Sequence, residues 1–156
     1  MSFRCTKPTP EPVKTLAYEP WRLAADPFQV SPRTWYVAGQ TWAGCYLIDT
    51  GDGLILIDTA IPESLSLMVD SIYRAGFCPN DIKKILLSHA HFDHVGGEAA
   101  MKALTGAKTF MSPQAAESSR SLSAATLALD STFPPHHPHV TQCPMAHVPV
   151  TLGSYR

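Results

Sequence analysis

The stretch SHAHFDHVGG, residues 88–97, constrains the fold of this chain more than any other, because it sets three of the seven histidines and an aspartate within six residues and follows them with a glycine pair. The preceding IKKILLS, residues 82–88, is a short apolar strand with Ile82, Ile85, Leu86 and Leu87 available for burial. In an extended backbone alternate side chains share a face, so His89, His91 and Asp93 converge on one side. A turn at Phe92 to Asp93 brings His94 round beside them, and Gly96 and Gly97 allow a tight turn and close backbone approach before a helix. Imidazole nitrogens and carboxylate oxygens are ligands for zinc or a similar divalent ion at about 2.0 to 2.2 Å. Three histidines satisfied by ordinary hydrogen bonds in a polar loop would repel one another when protonated, so metal binding is the expected role of His89, His91, Asp93 and His94.

The rest of the chain reads as three zones. Residues 1–33 carry prolines at 8, 10, 12, 20, 27 and 32 with few periodic apolar positions, which predicts an extended N-terminal arm. Residues 34–117 read as an α/β unit. TWYVAG is a strand, and CYLIDTGDGLILIDT is two apolar strands joined by a turn at Thr50 to Gly53. Pro62 starts a helix carrying Leu65, Met68, Val69 and Ile72 on one face, with Gly76 as its stop. GEAAMKAL is a second helix ended by Gly106, and AKTFM returns as a strand. The β-β-α-β-loop-α-β order favours a mixed sheet covered by helices. Residues 118–156 form a Pro/His-rich tail holding His136, His137, His139 and His147, with a weak helix at its start and no place in the sheet.

At 156 residues the chain is a single domain, and its net charge of −1 excludes a nucleic-acid footprint. No apolar run is long enough to span a bilayer and no signal peptide is recognisable, so the expectation is no membrane partner and a cytoplasmic location, or a periplasmic or secreted one if a leader has been removed. Cys5, Cys45, Cys78 and Cys143 are scattered, without a C-x-x-C pair, and read as reduced thiols.

The motif His89-Ala90-His91-Phe92-Asp93-His94-Val95-Gly96-Gly97 resembles the signature of the metallo-β-lactamase superfamily of hydrolases. The likeness extends upstream through LILIDTAIP, where the family places a strand ending in an aspartate, here Asp58. Over residues 20–115, from PWRLAADPFQV to HFDHVGGEAAMKALTGAKTFMS, the chain resembles the N-terminal half of a subclass-three metallo-β-lactamase. The resemblance implies an αβ/βα sandwich of which this chain carries the first αβ half. It implies two zinc ions, one held by His89 and His91 and the other by Asp93 and His94, with a metal-bound hydroxide attacking the carbonyl of a small-molecule substrate. Asp93 would orient that hydroxide and relay its proton, Asp58 would brace the metal loops by hydrogen bonding, and Trp42 would flank the substrate pocket. For Asp58 the other reading is a hairpin-end aspartate in water, and for Trp42 a buried core residue.

The family also supplies histidines from a downstream G-H-[ST]-x-G loop, which is not found in this sequence. Either the Pro/His-rich tail completes the site or the chain is a shortened form, and weak β-lactam turnover or none is expected. The leading function is zinc-dependent hydrolysis of a β-lactam, relevant to antibiotic resistance. The alternatives are a glyoxalase II-like thioester or lactone hydrolase, and a non-catalytic half-domain that binds metal or forms a homodimer through its open face.

Overall fold

A computed structural model describes residue 15 and residues 18–118. Six strands form one sheet in sequence order: β1 (Phe28–Ser31), β2 (Thr34–Tyr36), β3 (Tyr46–Asp49), β4 (Leu54–Ile57), β5 (Ile82–Leu87) and β6 (Lys108–Met111). The first four run antiparallel to their neighbours, whereas β4, β5 and β6 are parallel. This is the mixed α/β sheet that the alternating pattern predicts.

Parallel neighbours need crossover connections, and helices provide them. Helix α1 (Leu65–Arg74) links β4 to β5, while a single turn, α2 (Phe92–Val95), and α3 (Glu98–Thr105) link β5 to β6. A 3-10 turn at Pro62–Ser64 leads into α1, so the helix proper begins three residues later than the proline suggested. Met68 and Ile72 of α1 and Met101 of α3 are fully buried in one cluster with Leu47, Leu56, Ile85 and Leu87 of the sheet. Leu54, Ile55 and Leu56 are all buried, as expected of a central strand covered on both faces, whereas β5 exposes Lys83 and Lys84 between Ile82 and Ile85. Gly106 closes α3 in the left-handed conformation, with its N–H bonded to the Lys102 carbonyl, a conformation that costs least at glycine.

Two expectations change. The sheet does not begin at residue 34: β1, inside the stretch read as an extended arm, pairs with β2 as an exposed edge strand, and Pro20–Leu23 forms a 3-10 turn. FQVS alternates apolar and polar residues, but over only four positions between Pro27 and Pro32, and all four are exposed. The predicted strand TWYVAG is regular only over Thr34–Tyr36. Of the 118–156 zone, only Ser118 is described, at the end of a helical run over 113–118. His136, His137, His139 and His147 lie outside the described residues, as do Cys5 and Cys143. Cys45 and Cys78 are free thiols. No helix among the described residues is long and apolar enough to cross a membrane.

Candidate metal centre

Because β4 and β5 are parallel neighbours, their C-terminal ends lie side by side, and it is at the carboxyl ends of such strands that open α/β sheets bind ligands. Asp58 follows β4 and Ser88 follows β5. The Asp58 N–H donates to the Leu86 carbonyl, one step beyond the paired Ile57 and Leu86. The chain then turns sharply, with Asp58 at φ +60° and Ala60 at φ +53°. Left-handed backbone at a non-glycine residue costs on the order of 1–3 kcal/mol and persists only where the surroundings over-determine it.

Those surroundings are the ligand loop itself. The Thr59 N–H and hydroxyl both donate to the His94 carbonyl, at 2.8 and 3.1 Å, and the Gly97 N–H donates to the Ala60 carbonyl at 3.1 Å. The kinked 58–60 segment therefore clamps residues 94–97 through backbone contacts. Gly97 is required by this approach: a Cβ there would stand 2.2 Å from the Thr59 carbonyl oxygen.

The Asp58 side chain, only 4% exposed, is the hub of the site. Its Oδ1 accepts the Ser88 N–H at 2.7 Å; its Oδ2 accepts the Ser88 hydroxyl at 2.7 Å and lies 2.8 Å from His94 Nδ1. Ser88 Oγ is also 2.9 Å from His89 Nδ1. A hydroxyl has a single hydrogen, and here it goes to the carboxylate, so His89 Nδ1 must donate to Oγ. His94 Nδ1, facing the same ionised carboxylate, must likewise carry its hydrogen. In the neutral rings this tautomer leaves Nε2 unprotonated, the form a metal requires. The exposed-aspartate reading of Asp58 is overturned, because burial beside three donors makes it a structural brace.

His89, His91 and His94 gather at this end of the sheet. The ring centroids of His89 and His94 are 4.0 Å apart, and those of His89 and His91 are 4.7 Å apart. Asp93 and His94 sit on the turn α2 rather than on an extended loop, so strand alternation does not bring Asp93 to the others. Asp93 meets its sequence neighbour: its Oδ2 lies 3.9 Å from His94 Nε2. Two ligands about 2.0 to 2.1 Å from a tetrahedral ion stand roughly 3.3 Å apart, so this pair fits a shared zinc after a small adjustment. The fit is one of donor type, tautomer and pairwise spacing. Among the described residues, no group of three His, Cys, Asp or Glu is already arranged around one point.

Trp42 is 44% exposed and not a core residue; its indole N–H donates to Asp93 Oδ2 at 3.0 Å. Cys45 lies close enough to feel Asp58 and Asp93 but is fully buried. Burial pushes its thiol pKa up, and the charge of Asp58 adds to the effect, so in the metal-free protein Cys45 stays protonated. Ser88 and Thr59 were missed by sequence reasoning, although a hydroxyl directly before His89 was a usable signal.

A family model for the metallo-beta-lactamase superfamily matches residues 44–142, more than half of the chain. The chain belongs to the metallo-beta-lactamase superfamily. BJP-1, a subclass B3 metallo-beta-lactamase of Bradyrhizobium japonicum, is 44% identical over 60% of this chain and 35% of its own, with a TM-score of 0.55. A B3 metallo-beta-lactamase with an active-site glutamic acid is 38% identical over 70% of this chain and 40% of its own, with a TM-score of 0.61. The N-acyl homoserine lactonase AiiA of Bacillus thuringiensis subsp. kurstaki is 34% identical over 36% of this chain and 32% of its own. The chain thus spans about a third of the length of that curated relative. The subclass resemblance read over residues 20–115 is shown by these structures, which match the N-terminal portion of this chain.

Proposed function

We propose that this protein is a zinc-dependent hydrolase of cyclic amide or ester bonds, with a β-lactam as the leading substrate. The observation that carries the proposal is the Asp58–Ser88–His89 and Asp58–His94 network, which holds both imidazoles through Nδ1 and leaves the Nε2 of His94 beside the Asp93 carboxylate. A polar loop without a ligand has no need for a buried carboxylate that sets two tautomers at once. In this reading His89 and His91 form one donor pair and Asp93 and His94 the other. Bound there, zinc supplies Lewis acidity toward a substrate carbonyl and a lowered pKa for water.

The protein's own residues do the remaining work. Asp58 holds both rings in position, and its burial keeps that geometry from relaxing. Asp93, half-buried between Trp42 and His94, takes the proton of the attacking water and delivers it to the leaving nitrogen or oxygen. The exposed ring of Trp42 offers an apolar wall beside that carboxylate.

Lactone hydrolysis is the second reading, supported by the identity to N-acyl homoserine lactonases. A single panel tests both: a chromogenic cephalosporin, an N-acyl homoserine lactone and a thioester, each assayed with the protein as prepared, after chelator, and after zinc is restored. Hydrolysis abolished by chelator and recovered with zinc supports the proposal, and the preferred substrate assigns the class. Turnover is expected to be weak; hydrolysis indifferent to chelator, or none on any substrate, contradicts the proposal, and the second outcome favours the non-catalytic metal-binding reading.

A further inference from the structure

We infer that Trp42 is a positioning residue for the metal centre: its indole N–H pins the Asp93 carboxylate in the orientation that faces His94 Nε2. The inference rests on the zinc reading above. Trp42 and Asp93 are 51 residues apart in sequence, and nothing in the ligand motif itself points to the pairing.

The observations converge from both sides of the contact. Asp93 lies on a turn of only four residues, and its Oδ2 receives the Trp42 N–H at 3.0 Å while lying 3.9 Å from His94 Nε2. A carboxylate oxygen has two lone pairs, so it can accept the indole hydrogen and still face an ion. A carboxylate with a half-exposed flank otherwise samples several rotamers, and a fixed donor removes that freedom.

The donor itself is fixed by an unusual buried residue. Gln40 is fully buried, and its side-chain oxygen accepts the backbone N–H groups of Trp42 and Ala43 while its amide donates to the Ala43 carbonyl at 3.1 Å. The Gln40 carbonyl accepts the Tyr36 hydroxyl, and the flanking backbone is tied to the 20–25 segment by Ala25 N–H to the Gly39 carbonyl and Thr41 N–H to the Leu23 carbonyl. A buried glutamine with all these bonds satisfied rigidifies its loop. The loop exposes Thr41 and Trp42, and the polar atom of the Trp42 side chain goes to Asp93. A tryptophan present only as an apolar wall has no reason to spend its single hydrogen-bond donor on this carboxylate.

Trp42→Phe keeps the ring and removes the N–H at an exposed position, so folding is preserved; Trp21→Phe, at another exposed tryptophan, is the control. Zinc affinity is measured by competition with a chromogenic chelator, and the cobalt-substituted protein is examined by visible absorption. Loss of a partner that orients a ligand typically costs about 10- to 100-fold in metal affinity. The expected result is a loss in that range for Trp42→Phe, with an altered cobalt spectrum, and a change under about twofold for Trp21→Phe. Unchanged or tighter zinc binding by Trp42→Phe overturns the inference.

A metal-free readout separates this from the zinc reading itself. In the apo protein, Asp93→Ala is expected to shift only one of the three tryptophan indole N–H resonances, the one that Trp42→Phe deletes. No shift of that signal shows that the contact is absent and overturns the inference. A wild-type chain that takes up no zinc overturns the zinc reading and the metal role of Trp42 with it, whatever the apo spectrum shows.

Discussion

Asp58→Asn is the substitution that bears most directly on how the site is built. It is isosteric, and asparagine is one of the few residues that tolerate the φ of +60° found there. Three donors now point at two carboxylate oxygens: the Ser88 N–H, the Ser88 hydroxyl and the His94 Nδ1–H. Asparagine has one acceptor oxygen. With that oxygen kept on the Ser88 N–H, the amide hydrogens face Ser88 Oγ and His94 Nδ1. His94 must then present Nδ1 as an acceptor and carry its proton on Nε2. Ser88 Oγ becomes an acceptor from the amide and turns its own hydrogen to His89 Nδ1, moving that ring's proton to Nε2 as well. A single substitution therefore disables two metal donors. The loss of a charge-assisted hydrogen bond costs about 1.5–3 kcal/mol. For a chain of this size, that lowers the metal-free melting temperature by on the order of 5–10 °C. Zinc affinity falls by about 10- to 100-fold or more. Thermal unfolding in chelator measures the first effect, chelator competition the second, and nitrogen-15 NMR of the histidine rings reads the tautomers. An Asp58→Asn protein with wild-type zinc affinity and both rings still protonated at Nδ1 would refute the reasoning.

Gly97→Ala places a Cβ 2.2 Å from the Thr59 carbonyl and must push the 58–60 segment off the ligand loop, so a destabilisation of about 3 kcal/mol is expected, read as a loss of soluble folded protein or a lowered unfolding midpoint. Cys45, whose thiol is buried and held protonated, resists alkylation near pH 8 in the native protein while the partly exposed Cys78 reacts; mass spectrometry of peptides after brief alkylation and quenching distinguishes the two, and equal labelling of both would contradict the burial.

Most of the sheet was legible in the sequence because the signals were strong and local. The GDG turn between two apolar runs, the i, i+3, i+7 spacing of Leu65, Met68 and Ile72, and Gly106 after α3 each matched the structure. β1 was not legible, since its apolar–polar alternation runs over only four residues between Pro27 and Pro32, too short to stand out in a proline-rich stretch. The motif places His89, His91 and His94 at one end of the sheet, but not by strand alternation alone. Alternation was expected to deliver Asp93, whereas Asp93 sits on the turn Phe92–Val95, and four residues are too few for a helical period to show. The supporting network was least visible. Ser88 and Thr59 act through contacts with residues 30 to 35 positions away, and Gln40 acts by being buried, which no local pattern announces in a glutamine.

The central claim is that His89, His91, Asp93 and His94 hold zinc. Zinc per chain, measured by plasma mass spectrometry after reconstitution and removal of free metal, tests it most directly when the wild-type protein is compared with His89→Ala/His94→Ala and with His136→Ala. We expect about one zinc or more in the wild type, near zero in the double variant and an unchanged content in His136→Ala. A wild-type protein without zinc, or a double variant that retains it in full, would contradict the account.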